Sequence, residues 1–286
     1  DLDETDGITL SDVDTNDGTI TVDAGGALTV TDVATGNNNA IALTTSSGDI
    51  TGLATVNAGS GAVTLNSAGA IVDDGSTGTV VTGGVLTADA AGAITIDSTV
   101  TSADISTSAA GAVDLDETDG ITLSDVDTND GSITVDAGGA ITATDVVAAG
   151  GSGDSVTLST TTGGVVATLV TGADAVSITA TAGDITVGAI TATAGTLGVT
   201  ATAGSINDAA DDNTADFTAG GLITLTAQDE IGVLGSGSDT DLEFAASSSV
   251  DVSTTGTGAI DLDGLGALTL TDVDTNDGTI TVDAGG

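Results

Sequence analysis

No lysine, arginine or histidine occurs anywhere in this 286-residue chain, whereas Asp and Glu number 43, so the formal charge is −43. That single absence excludes a great deal. The chain can form no internal side-chain salt bridge, Ser–His–Asp triad or lysine Schiff base. Nucleic acid and anionic membrane surfaces are excluded as direct partners, because both are held by Lys and Arg. Cysteine is absent, so there is no disulfide framework and no thiolate metal site. Proline, Trp and Tyr are absent too, and there are only two aromatics, Phe217 and Phe244. A sandwich core normally uses large aromatics. No apolar run is long enough for a membrane helix and no signal peptide is visible, so direct membrane insertion is not expected.

The acids present are biased. Only Glu4, Glu117, Glu230 and Glu243 are glutamates; the rest are Asp. Aspartate bonds to its own turn backbone and tolerates the left-handed region, so the bias places carboxylates in turns. So large a charge opposes compaction by self-repulsion, and its relief must come from spacing, salt or bound cations. High charge with few aromatics is also the signature of disorder, but 39% of the residues are hydrophobic and they are patterned.

The pattern is a repeat. Residues 1–27 return at 114–140 with Thr19 replaced by Ser132, and a third copy, 261–286, matches residues 8–26 over 268–286 with two changes. The chain opens and closes inside this unit without an initiator Met, which reads as an excerpt of a longer protein. A shorter phrase recurs throughout, an apolar–Thr–apolar triplet after Gly or Asp: GITL, GTITV, GALTV, GAVTL, GDITV. Its period of two and its β-branched residues specify strands with one buried face, punctuated by Gly, Asp, Asn and Ser turns. Successive phrases begin at residues 8, 20, 28, 41, 50, 63 and 71, so short and long steps alternate. Pairs of steps give a higher period of about 20 residues. The fold this predicts is all-β, a right-handed parallel β-helix (β-solenoid) with coils of about 20 residues. Residues 1–286 would form a single repetitive segment. Val13, Val33, Val56, Val100 and Val126 are placed to start a third short strand. Residues 73–85 and 207–219 break the rhythm and read as loops, with Phe217 a plug against the core. Asn37–Asn39 could start an asparagine ladder.

The phrases at this spacing, with their TATAG tails at 179–183, 191–195 and 200–204, resemble the β-helical shafts of filamentous-haemagglutinin-type and autotransporter-like bacterial surface proteins. The resemblance implies secretion, an extracellular cell-surface location, and a structural or adhesive role as a shaft or filament. Partners expected with that role are other surface proteins or neighbouring cells, and because the open ends of a solenoid expose sheet edges, self-association end to end or laterally is expected as well. The chain departs from that pattern in lacking every Lys and Arg.

Chemistry is sparse. A carboxylate pair can hydrolyse a glycoside, but nothing here stacks or grips a sugar, so an enzyme is not expected. The sharpest motif is DVDTNDG: Asp12, Asp14, Asn16, Asp17; Asp125, Asp127, Asn129, Asp130; and Asp272, Asp274, Asn276, Asp277. Alternating oxygen ligands before a Gly turn suit calcium. The Gly stands at the seventh place rather than the sixth and no Glu closes the loop, so this is not an EF-hand. Asp-Gly and Asn-Asp-Gly are equally the residues of tight turns. Both readings stand: calcium turns as the one candidate cofactor site, or turn chemistry alone. The alternative function is accordingly a calcium-binding repeat module of a biofilm adhesin with sandwich-like domains. Finally, the Thr-x-Thr stretches at 142–144, 179–181, 191–193 and 200–202 resemble the flat Thr ladders of ice-binding β-solenoids, but the sequence sets no regular ladder on one face, and Thr is simply a good strand residue.

Overall fold

The computed structural model describes residues 1–210, 212–232 and 241–285. They form an all-β parallel β-solenoid with turns of about 21 residues and no helix. The chain divides into two compact units, Asp1–Ala137 and Gly138–Gly286.

In the first unit one sheet runs Leu2–Glu4, Ile20–Ala24, Ile41–Thr45, Val63–Ser67, Val85–Ala90, Ser102–Ala110 and Ile121–Asp130, every neighbour parallel. A second runs Ile8–Leu10, Leu28–Val30, Ile50–Leu53, Ile71–Asp73, Ile94–Thr99, Val113–Glu117 and Ile133–Ala137. Residues one coil apart are therefore in register, so apolar stacks on apolar. Ile20, Ile41, Val63 and Leu86 form one such column, and all four are buried. Each strand hides alternate residues, and the period of two read from the sequence becomes one face of a continuous aliphatic core.

The third short strand exists at Val13–Thr15, Val33–Thr35, Val56–Asn57 and Val81–Thr82. Val100 instead follows the strand Ile94–Thr99, and Val126 lies inside the ten-residue strand Ile121–Asp130. The predicted loop at 73–85 is shorter than expected, because Val80 and Val81 return to the core. Asn37–Asn39 make a corner rather than a ladder. Asn37 and Asn38 take left-handed φ values of 55° and 59°. Asn37 Nδ2 donates to Asn16 O at 3.2 Å on one neighbouring coil, and Asn38 Oδ1 accepts from Ser60 N at 3.0 Å on the other.

The two copies of the long repeat in this unit occupy opposite sheets. Ile8–Leu10 pairs in the second sheet and Ile20–Ala24 in the first, whereas the matching Ile121–Asp130 pairs in the first and Ile133–Ala137 in the second. The stacking word is thus half a coil, and either sheet accepts it because both present the same inward aliphatic column.

In the second unit one sheet contains Ile141–Ala143, Val165–Gly172, Ile185–Ala192, then Ile206–Asp208 and Phe217–Ala219 side by side on the same neighbour, then Leu242–Phe244, Ile260–Gly264 and Ile280–Ala284. The other runs Val156–Thr160, Val176–Ala180, Leu197–Ala201, Leu222–Ala227, Ser249–Thr254 and Thr269–Thr275. The predicted loop at 207–219 begins and ends as strand, and its residue 211 lies outside the described residues. Phe217 is a core rung: it registers with Ile190 before it and Phe244 after it, with ring centroids 5.4 Å apart. These parallel ladders are not the antiparallel sheets of a sandwich module.

Corners obey a common rule. A Thr or Ser at or near the end of a strand donates its hydroxyl to a backbone carbonyl three or four residues on: Thr45 to Gly48 at 2.9 Å, Ser67 to Ala70 at 2.9 Å, Thr107 to Gly111 at 3.0 Å, Thr160 to Gly163 at 2.9 Å and Thr254 to Gly258 at 3.1 Å. Glycine follows because coils touch there: a Cβ on Gly26 would lie 2.6 Å from the amide nitrogen of Gly7.

Candidate metal centre

The DVDTNDG residues lie at or leading into such corners, the second copy along a strand. Asp12, Asp14, Asn16 and Asp17 are exposed around the strand Val13–Thr15. Asp125, Asp127, Asn129 and Asp130 are exposed along Ile121–Asp130, and Asp272, Asp274, Asn276 and Asp277 around the end of Thr269–Thr275. Of the motif's polar side chains the threonine is the least exposed. Thr15 Oγ1 donates to Gly18 O at 2.6 Å, Thr128 caps Gly131 in the same way, and Thr275 Oγ1 accepts from Gly278 N at 2.8 Å. Identical heptapeptides differ in their ends: the first turns at Gly18, whose φ is 137°, while the second stays extended to Asp130.

Of the neighbouring acids, Glu117 is drawn inside. It is 3% exposed; its Oε2 accepts from Ser98 Oγ at 2.6 Å and Val100 N at 3.0 Å, and its Oε1 from Asp119 N at 3.1 Å. Outside it runs a file of carboxylates, Asp97, Asp116 and Asp136, on adjacent strands. Desolvation first, then repulsion from one another and from Asp73 and Asp114, raises Asp97 and Asp116 above the ordinary carboxylate range.

The group whose geometry suits a metal was not singled out in the sequence. Among the described residues, Asp208, Asp216 and Glu243 each offer a carboxylate oxygen, all within 4.8 Å of one another. Asp216 and Glu243 are 5% and 1% exposed. Asp208 ends the strand Ile206–Asp208, Asp216 precedes the strand Phe217–Ala219, and Glu243 is central in Leu242–Phe244. The insertion between Asp208 and Asp216 therefore brings two acids to one place, and the next coil lays Glu243 upon them. Backbone pairing fixes that contact: Asp216 N donates to Glu243 O at 3.0 Å, and Glu243 N donates to Asp216 Oδ2 at 2.9 Å. Burial pushes Asp216 up to about 10, and also raises Asp208. The amide oxygen of Asn207, beside Asp208 in sequence, is buried without a hydrogen-bond partner.

Three packed carboxyls in a chain with no basic side chain must be neutralised by protons or by an added cation. The triad could hold a metal ion, and its all-oxygen donor set fits a hard cation rather than zinc or copper. Two features of the sequence mark the site only once the fold is known: Glu243, one of four glutamates, stands between Leu242 and Phe244, and Asp216 abuts one of the two aromatics.

No protein-family model, no curated protein and no solved structure matches the chain.

Proposed function

We propose that the chain is a length of structural shaft in a large extracellular bacterial surface protein, one that carries adhesion or organises the cell surface. The observation that carries this reading is the in-register stacking of coil on coil within each unit, in which strands such as Ile41–Thr45, Ile185–Ala192 and Val176–Ala180 are hydrogen-bonded to a neighbour on both sides. Such a repeat gains stability from each neighbour and can be lengthened by half-coil words without redesign. The acidic corners keep it soluble and leave its contacts, end to end or lateral, dependent on salt and divalent ions. Antibodies raised against this segment test the location. The reading expects them to label intact source cells, and label appearing only after permeabilisation would refute it.

The triad favours a second property, calcium loading of the Gly138–Gly286 unit at Asp208, Asp216 and Glu243. Calcium takes several oxygens in flexible geometry, and a corner insertion supplies such geometry. When bound, the ion would supply charge neutralisation and a tie between two coils. Titration with calcium by calorimetry is expected to give a saturable heat that Glu243→Gln removes; no heat, or heat unchanged in the variant, would refute it.

A further inference from the structure

One face of the second unit carries adjacent outward files that are free of charge over four strands. Its four strands Val156–Thr160, Val176–Ala180, Leu197–Ala201 and Leu222–Ala227 pair residue for residue with no bulge. Their outward positions fall into files. One file is Ser159, Thr179, Thr200, Thr226; a second is Thr157, Ser177, Gly198, Thr224. The backbone ladder continues one step past the strands, where Thr181 N bonds to Thr160 O, Thr202 N to Ala180 O and Gln228 N to Ala201 O. The residues there, Thr161, Thr181, Thr202 and Gln228, are exposed and form a third file.

Ten of these twelve positions carry a hydroxyl, the others being Gly198 and Gln228, and none carries a carboxylate. In the first unit several outward files carry charge, at Asp89, Asp104, Asp125 and Asp127 on one sheet and at Asp97, Asp116 and Asp136 on the other, and a file free of it, Thr21, Ala42, Thr64 and Thr87, lies beside one that holds Asp23 and Asp89. Charge returns on the next strand of the same face, at Asp251. The grid repeats every ~4.8 Å from strand to strand and every ~6.7 Å along a strand. It offers hydroxyl donors and acceptors beside the Thr methyls. Each such contact is weak, but many made at once on a rigid lattice of matching repeat add up. A surface that is neutral, regular in two directions and lined by hydroxyls fits a lattice of neutral hydroxylic groups with repeats of the same order. Ordered water in ice presents one. We propose that this face binds ice.

The full chain tests this by uptake into slowly growing polycrystalline ice and by thermal hysteresis. The folded protein is expected to enter the ice and to depress the freezing point below the melting point. Thr200→Asp, which puts a carboxylate in the middle of the grid, is expected to cut both at least tenfold with an unchanged circular dichroism spectrum. Thr202→Asp, at the exposed corner outside the strands, serves if the first variant misfolds, and is expected to act in the same direction. Thr64→Asp, on an outward file of the first unit, is expected to leave both intact. Exclusion of the folded wild-type chain from ice overturns the proposal, as does full activity in both grid variants, equal loss in Thr64→Asp, or binding confined to insoluble polysaccharide.

Discussion

Replacing Phe217 with alanine should destabilise the second unit by about 3–5 kcal/mol, the usual cost of emptying a buried aromatic site. Phe217 and Phe244 are both fully buried, and their rings are 5.4 Å apart at 32°. They are the widest rungs in a column otherwise built from aliphatic residues, and the coil beyond narrows to make room, for Phe244 registers with Gly264. A Cβ added there would meet Leu268 Cγ at 2.5 Å. Of the loss, about 0.5–1.5 kcal/mol belongs to the ring pair itself. Phe217→Leu, which keeps most of the volume, should lose less than half as much. The assay is denaturant unfolding of the full chain, with hydrogen exchange to locate the effect. In a stacked repeat each coil is held by its neighbours, so protection should fall from Ile185–Ala192 to Ile260–Gly264 and persist at Ile20–Ala24 and Ile41–Thr45. A loss under about 1 kcal/mol, or an equal loss of protection in the first unit, would refute the reasoning.

Other consequences are equally direct. Gly111→Ala should destabilise by about 1–3 kcal/mol, since its Cβ would stand 2.6 Å from Ala93 N, whereas Gly198→Ala, with no atom within 4 Å, should be neutral or stabilising; thermal melts of the two variants decide. Stability in chelator should fall as pH rises. Asp97, Asp104, Asp116, Asp261 and, most strongly, Asp216 have folded values raised above 3.8, chiefly by desolvation, so the folded state holds more protons than the unfolded one. Their contribution is complete below 3.8 and is lost on the way up to about 10. Asp74 and Asp212, held down by hydroxyl hydrogen bonds from Ser76 and Thr214, act in the opposite sense but are fully exposed. A melting midpoint higher at pH 8 than at pH 5 would contradict this. Asp97→Asn should raise the midpoint at pH 7, chiefly by removing a desolvated charge, and high salt, which screens only the smaller repulsion from Asp73 and Asp116, should reduce that gain without abolishing it.

The coil was legible because it rests on local rules. Residues 8, 20, 28, 41, 50, 63 and 71 each begin a strand, and alternation told which side of it faced in. What the sequence left open was long-range register. Nothing local in DVDTNDG says whether the strand ends at Thr15 or runs to Asp130, because that depends on the coil beneath. The same limit hid the triad. Asp208 and Asp216 belong to an insertion with no phrase in it, and Glu243 reaches them only through the pairing of Phe217 with Phe244. The hydroxyl grid was half legible: Thr179–Thr181 and Thr200–Thr202 stand out as Thr-x-Thr pairs, but only registration places them on one face with Thr224 and Thr226.

The most direct test is differential scanning calorimetry of the chain at pH 7, with calcium and with chelator, on the wild type and on Asp216→Asn. If the buried acids of the second unit are neutralised by a divalent cation, calcium raises the wild-type midpoint. In chelator the neutral amide of the variant melts at or above the wild type, and calcium then adds much less to it. A wild-type midpoint indifferent to calcium, or an equal calcium shift in Asp216→Asn, would contradict the account.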